Sequence, residues 1–90
     1  MELKNLIQEK IKRKEVVLGY NRTIKLLKTG KIKMVVLANN IPKEKREAII
    51  HNAKLSKVEV KEFGDDNANL GLVCGKPFSV SVLAIKGSEK

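Results

Sequence analysis

The apolar run Met34-Val35-Val36-Leu37-Ala38 constrains the fold of this chain more than any other segment. A continuous apolar run of this length, rich in β-branched residues, is typical of a strand that is buried on both faces. Such a strand lies in a sheet that is covered by helices. The run therefore predicts an α/β fold in which both faces of a small sheet carry a helical layer.

The segments around this run alternate between helical and extended patterns. Apolar residues at i, i+3, i+4 and i+8 near the start of the chain predict an amphipathic helix. Helices are predicted over about residues 2–14, 21–29, 43–56 and 68–74, with Asn21 as the cap of the second and Gly30 as its stop. Strands are predicted over residues 16–18, 34–38, 58–61 and 78–85, and 58–61 has the polar alternation of an edge strand. We expect one domain over residues 1–90, ending in a solvated tail from Gly87.

Basic residues outnumber acidic ones by 19 to 10, which gives a net charge of +9. The whole surplus lies before Lys61, where 15 basic residues stand against six acidic ones. These cations are spread among apolar residues, so they predict a basic face on a folded body and not a charged tail. A surplus of this size on a small domain indicates a polyanionic partner, with nucleic acid ahead of a membrane surface.

Catalytic and metal-binding chemistry have little support in the sequence. Cys74 is the single cysteine and His51 the single histidine, so no disulfide and no cysteine-based zinc site is expected. We expect Cys74 to pack as a small apolar side chain. Glu44 and Glu47 lie among cations on a predicted helix and are interpreted as part of its solvated face. No phosphate-binding glycine motif is present. The sequence predicts a protein that is not an enzyme, with no cofactor and no metal.

No apolar stretch approaches the roughly 20 residues that a membrane-spanning helix requires. The first ten residues also lack the hydrophobic core of a signal peptide. We therefore expect a cytoplasmic protein with no membrane partner.

The segment Leu18-Gly19-Tyr20-Asn21-Arg22-Thr23-Ile24-Lys25 combines a glycine, polar side chains and cations at a predicted helix start. Backbone N–H groups at such a start favour phosphate, and Gly19 would let RNA approach the backbone closely. Asn21 could read a base edge, while Arg22 and Lys25 could meet the phosphate backbone. The alternative interpretation is a capped basic helix with no ligand.

Two further loops are expected near this segment. Asn39-Asn40-Ile41-Pro42 follows the apolar strand, and Gly75-Lys76-Pro77-Phe78 precedes the last one. If the last strand is antiparallel, both loops reach the same edge of the sheet. That edge would combine amides, cations and an apolar ring, which suits an irregular or bulged RNA. Aromatic residues make up only 3% of the chain, which argues against a general single-strand binder with a stacking platform.

Short stretches of the sequence, taken in order, resemble a known family. They are Leu18-Gly19-Tyr20 with Thr23 and Lys25; Gly30-Lys31 and Lys33-Met34-Val35-Val36-Leu37-Ala38; Asn40 and Pro42; Ala53 with Leu55-Ser56-Lys57; and Leu70-Gly71 through Gly75-Lys76-Pro77-Phe78. Together they resemble the kink-turn RNA-binding superfamily of ribosomal proteins, and within it the L-thirty-e branch of the archaeal and eukaryotic large subunit. The resemblance covers nearly the whole chain.

This resemblance implies a three-layer α/β/α sandwich with a four-stranded mixed sheet, and binding to a sharply bent RNA internal loop with tandem sheared G·A pairs. It implies that Gly19, Asn21 and Lys25 contact the bases and backbone beside the G·A pairs. Asn40 would help from the second loop, and Phe78 with Val80 would contact nucleotides extruded from the bend. The candidate RNA-binding residues are Leu18, Gly19, Tyr20, Asn21, Arg22, Lys25, Asn40, Lys76, Phe78 and Val80.

The functional hypothesis is a structural component of the large ribosomal subunit that binds kink-turn rRNA through loops at one sheet edge. Its expected partners are RNA and neighbouring ribosomal components, and the free protein is expected to be a monomer. One alternative is a kink-turn-binding protein of a small ribonucleoprotein of the box C/D type, or a ribosome-associated paralogue. Another is a small ligand-binding domain whose basic charge is incidental.

Overall fold

Four helices and four strands alternate along residues 3–29 and 32–86, the part of the chain that the computed structural model describes. The helices are α1 (Leu3–Lys12), α2 (Tyr20–Thr29), α3 (Lys43–Ser56) and α4 (Asn67–Val73). The strands are β1 (Val16–Leu18), β2 (Ile32–Leu37), β3 (Glu59–Glu62) and β4 (Val82–Lys86). The predictions for Glu2, for Gly30 and for the tail from Gly87 concern residues outside the described part of the chain.

The strands form one mixed sheet in the order β1-β4-β2-β3. β4 is antiparallel to both of its neighbours, pairing Leu83 with Leu18 on one side and with Val36 on the other. β2 and β3 are parallel. The expected four-stranded mixed sheet is therefore confirmed, and β3 is an edge strand as its polar alternation predicted.

The sheet separates two apolar cores, which explains the continuous apolar run of β2. Val35 and Leu37 pack in the first core, with α2 and α3. Val36 and Ala38 pack in the second core, with α1 and α4. Since successive side chains of a strand point to opposite faces, a strand between two helical layers needs apolar residues at every position. The three-layer α/β/α sandwich is confirmed.

The last strand begins four residues later than the sequence predicted. Residues 78–81 form a loop that is held against α4, where the Val80 N–H donates to the Asn67 carbonyl at 3.0 Å. The neighbouring strand β2 ends at Leu37, which pairs with Val82. The segment before Val82 has no ladder to join, so its alternating pattern does not produce a strand.

Helix α2 begins at Tyr20, so the prediction of Asn21 as its cap is wrong. The Gly19 carbonyl accepts the first helical bond, from the Thr23 N–H at 3.1 Å. Gly19 has a backbone φ of +106°, a conformation that residues with a Cβ atom rarely adopt. The chain therefore needs glycine at the turn between β1 and α2, and Asn21 falls inside the first helical turn.

We expect Thr23→Val to leave stability unchanged or to raise it by up to about 1 kcal/mol. Thr23 is fully buried, and its hydroxyl has no hydrogen-bond partner within the described part of the chain. A buried hydroxyl without a partner costs free energy that a methyl group of similar size does not. Urea unfolding of both proteins measures the difference. A clear loss of stability in the variant would mean that the hydroxyl is bonded in solution.

Candidate nucleic-acid interface

Three loops meet at one edge of the sheet because β4 runs antiparallel to both neighbours. The end of β1, the end of β2 and the start of β4 all lie at this edge. The Gly19 N–H donates to the Val82 carbonyl at 3.1 Å, and the Ala38 N–H donates to the Ser81 carbonyl at 2.9 Å. The expectation that the loops around Gly19, Asn40 and Phe78 share an edge is therefore confirmed.

A groove of about 830 Å³ wraps the exposed side of β1; we call it the β1 groove. Both faces of the sheet contribute to it, with Val17 from the first-core side and Val16 from the second-core side. Seven of the predicted RNA-binding residues line it: Leu18, Gly19, Tyr20, Arg22, Lys76, Phe78 and Val80. Asn21, Lys25 and Asn40 are not among the lining residues.

The β1 groove is strongly basic. Five exposed cations line it, namely Lys14, Arg22, Lys45, Lys76 and Lys86. No aspartate or glutamate lies among its lining residues in the described part of the chain. Positive charge concentrated in a concavity raises the local concentration of anions. The groove therefore suits a polyanion and disfavours a partner surface that is itself basic.

Sequence reasoning missed Lys14, Lys45 and Lys86 as members of this groove. Lys45 lies in the first turn of α3, and its Nζ stands 5.3 Å from the centre of the Tyr20 ring. Tyr20 also packs against the first core, so a cation over its ring joins the start of α3 to the start of α2. In the sequence, the one sign that Lys45 could lie at this groove is its position three residues after the loop that contains Asn40.

Phe78 presents an apolar ring at the groove. Its side chain is 55% exposed, although it belongs to a residue type that is usually buried. The loop that carries it passes directly over α4 at Gly71, where an added Cβ would overlap the Phe78 carbonyl oxygen. With more than half of its surface exposed, the Phe78 ring does not fill a core position in this structure.

Val80 lies in a different environment from Phe78. It is 3% exposed and packs in the second core. Only its small exposed fraction reaches the β1 groove, as part of the floor. An apolar surface at this edge is thus supplied mainly by Phe78 and the half-buried Leu18.

The side chain of Asn40 holds loops together. Its Nδ2 donates to Asn67 Oδ1 at 3.1 Å, and its Oδ1 accepts from the Asn67 N–H at 3.0 Å. Asn67 Nδ2 in turn donates to Ser81 Oγ at 3.3 Å. Both ends of the Asn40 amide are therefore engaged, and this residue fixes the β2–α3 loop against the start of α4.

Asn21 and Lys25 are exposed on α2 and do not line the groove. They are four residues apart and so share one face of the helix. Arg22, between them in sequence, turns into the groove. The exposed face and the groove meet at the start of α2, where Gly19 leaves the backbone open.

Neither a metal centre nor a membrane-spanning helix is found within residues 3–29 and 32–86. No group of three or more His, Cys, Asp or Glu side chains there could hold a metal ion. None of the helices in those residues has the length and apolar character needed to cross a membrane.

We expect stability to fall above pH 9 through Cys74. Burial raises the pKa of this thiol above its ordinary value of 9.0, and nearby Lys76 offsets that only in part. Above pH 9 the unfolded chain loses the thiol proton while the folded protein retains it, so rising pH favours unfolding. Urea unfolding at pH 8 and pH 10 measures the change. Cys74→Ala, which keeps all the lysines, should show a smaller decline; equal declines would contradict the assignment.

The chain is similar to known proteins over its whole length. The sequence model of the ribosomal protein L7Ae/L30e/S12e/Gadd45 family matches residues 1–90. Large ribosomal subunit protein eL30 of Methanocaldococcus jannaschii is 42% identical over 85 residues, which is 94% of this chain and 77% of that protein. The eL30 protein of Methanothermobacter thermautotrophicus is 49% identical over 71 residues, covering 79% of this chain and 72% of that protein.

Two solved structures share the fold. A protein of unknown function from Bacillus halodurans superposes with a TM-score of 0.86 at 18% identity, over 94% of this chain and 84% of that one. The 15.5 kD RNA binding protein of Giardia lamblia superposes with a TM-score of 0.79 at 23% identity, over 97% of this chain and 72% of that one. At these identities the two structures support the architecture alone.

Proposed function

The chain belongs to the ribosomal protein L7Ae/L30e/S12e/Gadd45 family, and from this membership we propose that it is a structural, RNA-binding component of the large ribosomal subunit. The relatives at 42% and 49% identity are large-subunit proteins, as the L-thirty-e resemblance indicated. The protein accordingly belongs to the cytoplasmic ribosome, where RNA and neighbouring ribosomal components are its partners.

The observation that carries this proposal is the composition of the β1 groove. Five cations line it without an acidic residue among the described lining residues, and the exposed Phe78 lies in the same groove. Cations neutralise phosphates without regard to sequence, whereas an exposed ring at an edge can take an unstacked base. RNA that is bent or bulged needs both the cations and the exposed ring, whereas a plain duplex would use the cations alone.

The proposed target is an internal loop that is sharply bent, of the kink-turn type with tandem sheared G·A pairs. A bend brings phosphates together, and their repulsion opposes it. The groove cations offset that repulsion, and a protein that binds the bent form more tightly shifts the RNA toward it. Because Gly19 has no side chain, the backbone can approach the RNA at the start of α2.

Each candidate residue has a proposed role in this complex. Asn21 reads a base edge and Lys25 meets the backbone from the exposed face of α2, while Phe78 stacks on an extruded base. The remaining candidates support these contacts. Leu18 and Val80 form the apolar floor of the groove, and the Tyr20 ring holds Lys45 at the groove. Arg22 and Lys76 bind phosphates, and Asn40 fixes the loop that it belongs to. No reaction, cofactor or metal is assigned. Residues 1–90 act as one domain, monomeric when free.

The proposal predicts a steep fall of RNA affinity with salt. With three to five phosphate contacts, the logarithm of affinity should fall against the logarithm of salt concentration with a slope of roughly −2 to −4, because bound cations release counterions. The measurement titrates the protein with an RNA that carries a tandem G·A internal loop, from 0.05 to 0.3 M potassium chloride. A flat response would contradict the electrostatic role of the groove.

A plain RNA duplex of the same length is the matched control for RNA shape. It should bind more weakly at every salt concentration, since it offers phosphates but no extruded base. Equal affinity for the two RNAs would remove the bent loop from the proposal. Sedimentation of the tagged protein with large ribosomal subunits from cells distinguishes the ribosomal role from a role in a small ribonucleoprotein.

A further inference from the structure

The β1 groove continues past β1 to the end of the sheet opposite Gly19. Lys14 precedes β1 and Lys86 ends β4, and both line the groove. The two segments are joined there, since the Lys86 N–H donates to the Glu15 carbonyl at 2.8 Å. The strand β1 lies between Lys14 and Gly19, so the two residues mark opposite ends of the groove. Neither Lys14 nor Lys86 is among the ten candidate RNA-binding residues.

Among the described residues, no carboxylate forms an ion pair with either of the two lysines at the far end. The nearest carboxylate in sequence is that of Glu15, and it is already paired with Lys10, whose Nζ lies 3.2 Å from Glu15 Oε1. Lys14 and Lys86 are exposed and take part in none of the ion pairs found among the described residues. Two cations beside one groove repel each other, and an anion that binds between them offsets that repulsion.

Lys14 occupies a backbone conformation in which a side chain lowers stability. Lys14 has φ +59°, and the N–H groups of Lys14 and Glu15 close the end of α1 on the carbonyls of Ile11 and Lys10, both at 2.9 Å. Helix ends of this geometry favour glycine, because a Cβ is strained in the left-handed region. Lysine therefore costs stability at this position, while placing a cation at the groove.

We propose that Lys14 and Lys86 form a second phosphate-binding site, which takes the backbone of a helical stem that leaves the bent loop. This site rests on the RNA-binding role proposed above and extends it along the β1 edge. A stem that follows the groove from Gly19 along β1 brings its backbone phosphates to Lys14 and Lys86. RNA is the occupant that fits, because the far end is continuous with the basic groove and shares its sign of charge.

Lys14→Gly tests this site, because stability and affinity should change in opposite directions. The variant relieves the strained backbone, so its melting temperature should rise. It also removes one phosphate contact, so affinity for RNA with a ten-base-pair stem should fall roughly fivefold at 0.1 M salt, and the salt slope should decrease by about 1. Lys86→Ala should lower affinity to a similar extent.

Lys57→Gly is the matched control. Lys57 ends α3 with φ +58° and the same pair of backbone bonds, but it does not line the groove. It should raise the melting temperature while leaving affinity unchanged. An affinity loss equal to that of Lys14→Gly would overturn the site, because it would reflect net charge alone.

Stem length supplies the second test. With the same bent loop on three-base-pair stems, the effect of Lys14→Gly should disappear, because the stem no longer reaches the far end. A loss that persists on the short stems overturns the site, as does full affinity of Lys14→Gly for the long ones. In either case a loss in Phe78→Ala would leave the RNA-binding role intact, and no loss in any variant would remove both. An Asp- and Glu-rich peptide that binds this end more tightly than the stem RNA would overturn RNA as its occupant.

Discussion

Phe78→Ala is expected to weaken binding of the bent RNA by about tenfold to a hundredfold while hardly changing the melting temperature. A base stacked on an aromatic ring contributes about 1–3 kcal/mol by alanine substitution. The ring is 55% exposed and lies outside both cores, so its removal leaves no buried cavity. Fluorescence titration and thermal unfolding of one purified variant measure both quantities.

Leu72→Ala is the control for a general loss of apolar surface. Leu72 is 71% exposed on α4 and does not line the β1 groove. It should leave RNA affinity unchanged. If Phe78→Ala instead lowers the melting temperature strongly, with affinity per folded molecule preserved, the ring belongs to the folded core in solution and leaves the proposed site.

Gly71→Ala is expected to destabilise the protein by about 1–3 kcal/mol, although alanine is the better helix former. Propensity alone would stabilise α4 by about 1 kcal/mol. The new Cβ would overlap the Phe78 carbonyl oxygen and would lie 3.2 Å from its carbonyl carbon. These atoms are backbone, so the loop must move, and overpacking of this kind is costly.

The same substitution should also weaken RNA binding, because the displaced loop carries Phe78 and Lys76. Urea unfolding gives the change in stability, and titration of the bent RNA under folding conditions gives the change in affinity. Ala68→Gly, at an exposed position of the same helix, shows the effect of propensity without a clash. A gain of stability in Gly71→Ala would mean that α4 and the loop are further apart than the structure has them.

The architecture was predictable because the decisive signals are local. The apolar run at residues 34–38 indicates a doubly covered strand wherever it occurs, and β2 splits it between two cores as expected. The start of β4 was not predictable in this way. Val80 and Val82 alternate with serines, as the residues of a strand would. Strand pairing, however, depends on where β2 ends. β2 ends at Leu37, which pairs with Val82 although it lies 45 residues earlier in the chain.

The candidate site was predictable in part for a similar reason. The glycine, the amides and Phe78 stand in loops whose composition already indicates RNA. Lys14, Lys45 and Lys86 lie in segments whose local patterns indicate no ligand. The antiparallel placement of β4 beside β1 brings Lys14 and Lys86 to one end of the groove, and the start of α3 adds Lys45 over the Tyr20 ring. Their place in the groove depends on tertiary structure, so no local pattern could single them out.

The place of β4 in the sheet has a consequence for the order in which the protein matures. β1 and β2 make no strand pair with each other in the described sheet. β1 is joined to that sheet through β4, which follows both strands in the chain, while β2 pairs with β3 as well as with β4. Val16 pairs with Ile85, which lies 69 residues later in the chain, and pairings between such distant residues form slowly. Gly19 is likewise anchored to Val82. During synthesis the proposed RNA-binding edge therefore cannot form before β4 has been made, and we expect an RNA that requires this edge to bind finished molecules and to stabilise them by mass action.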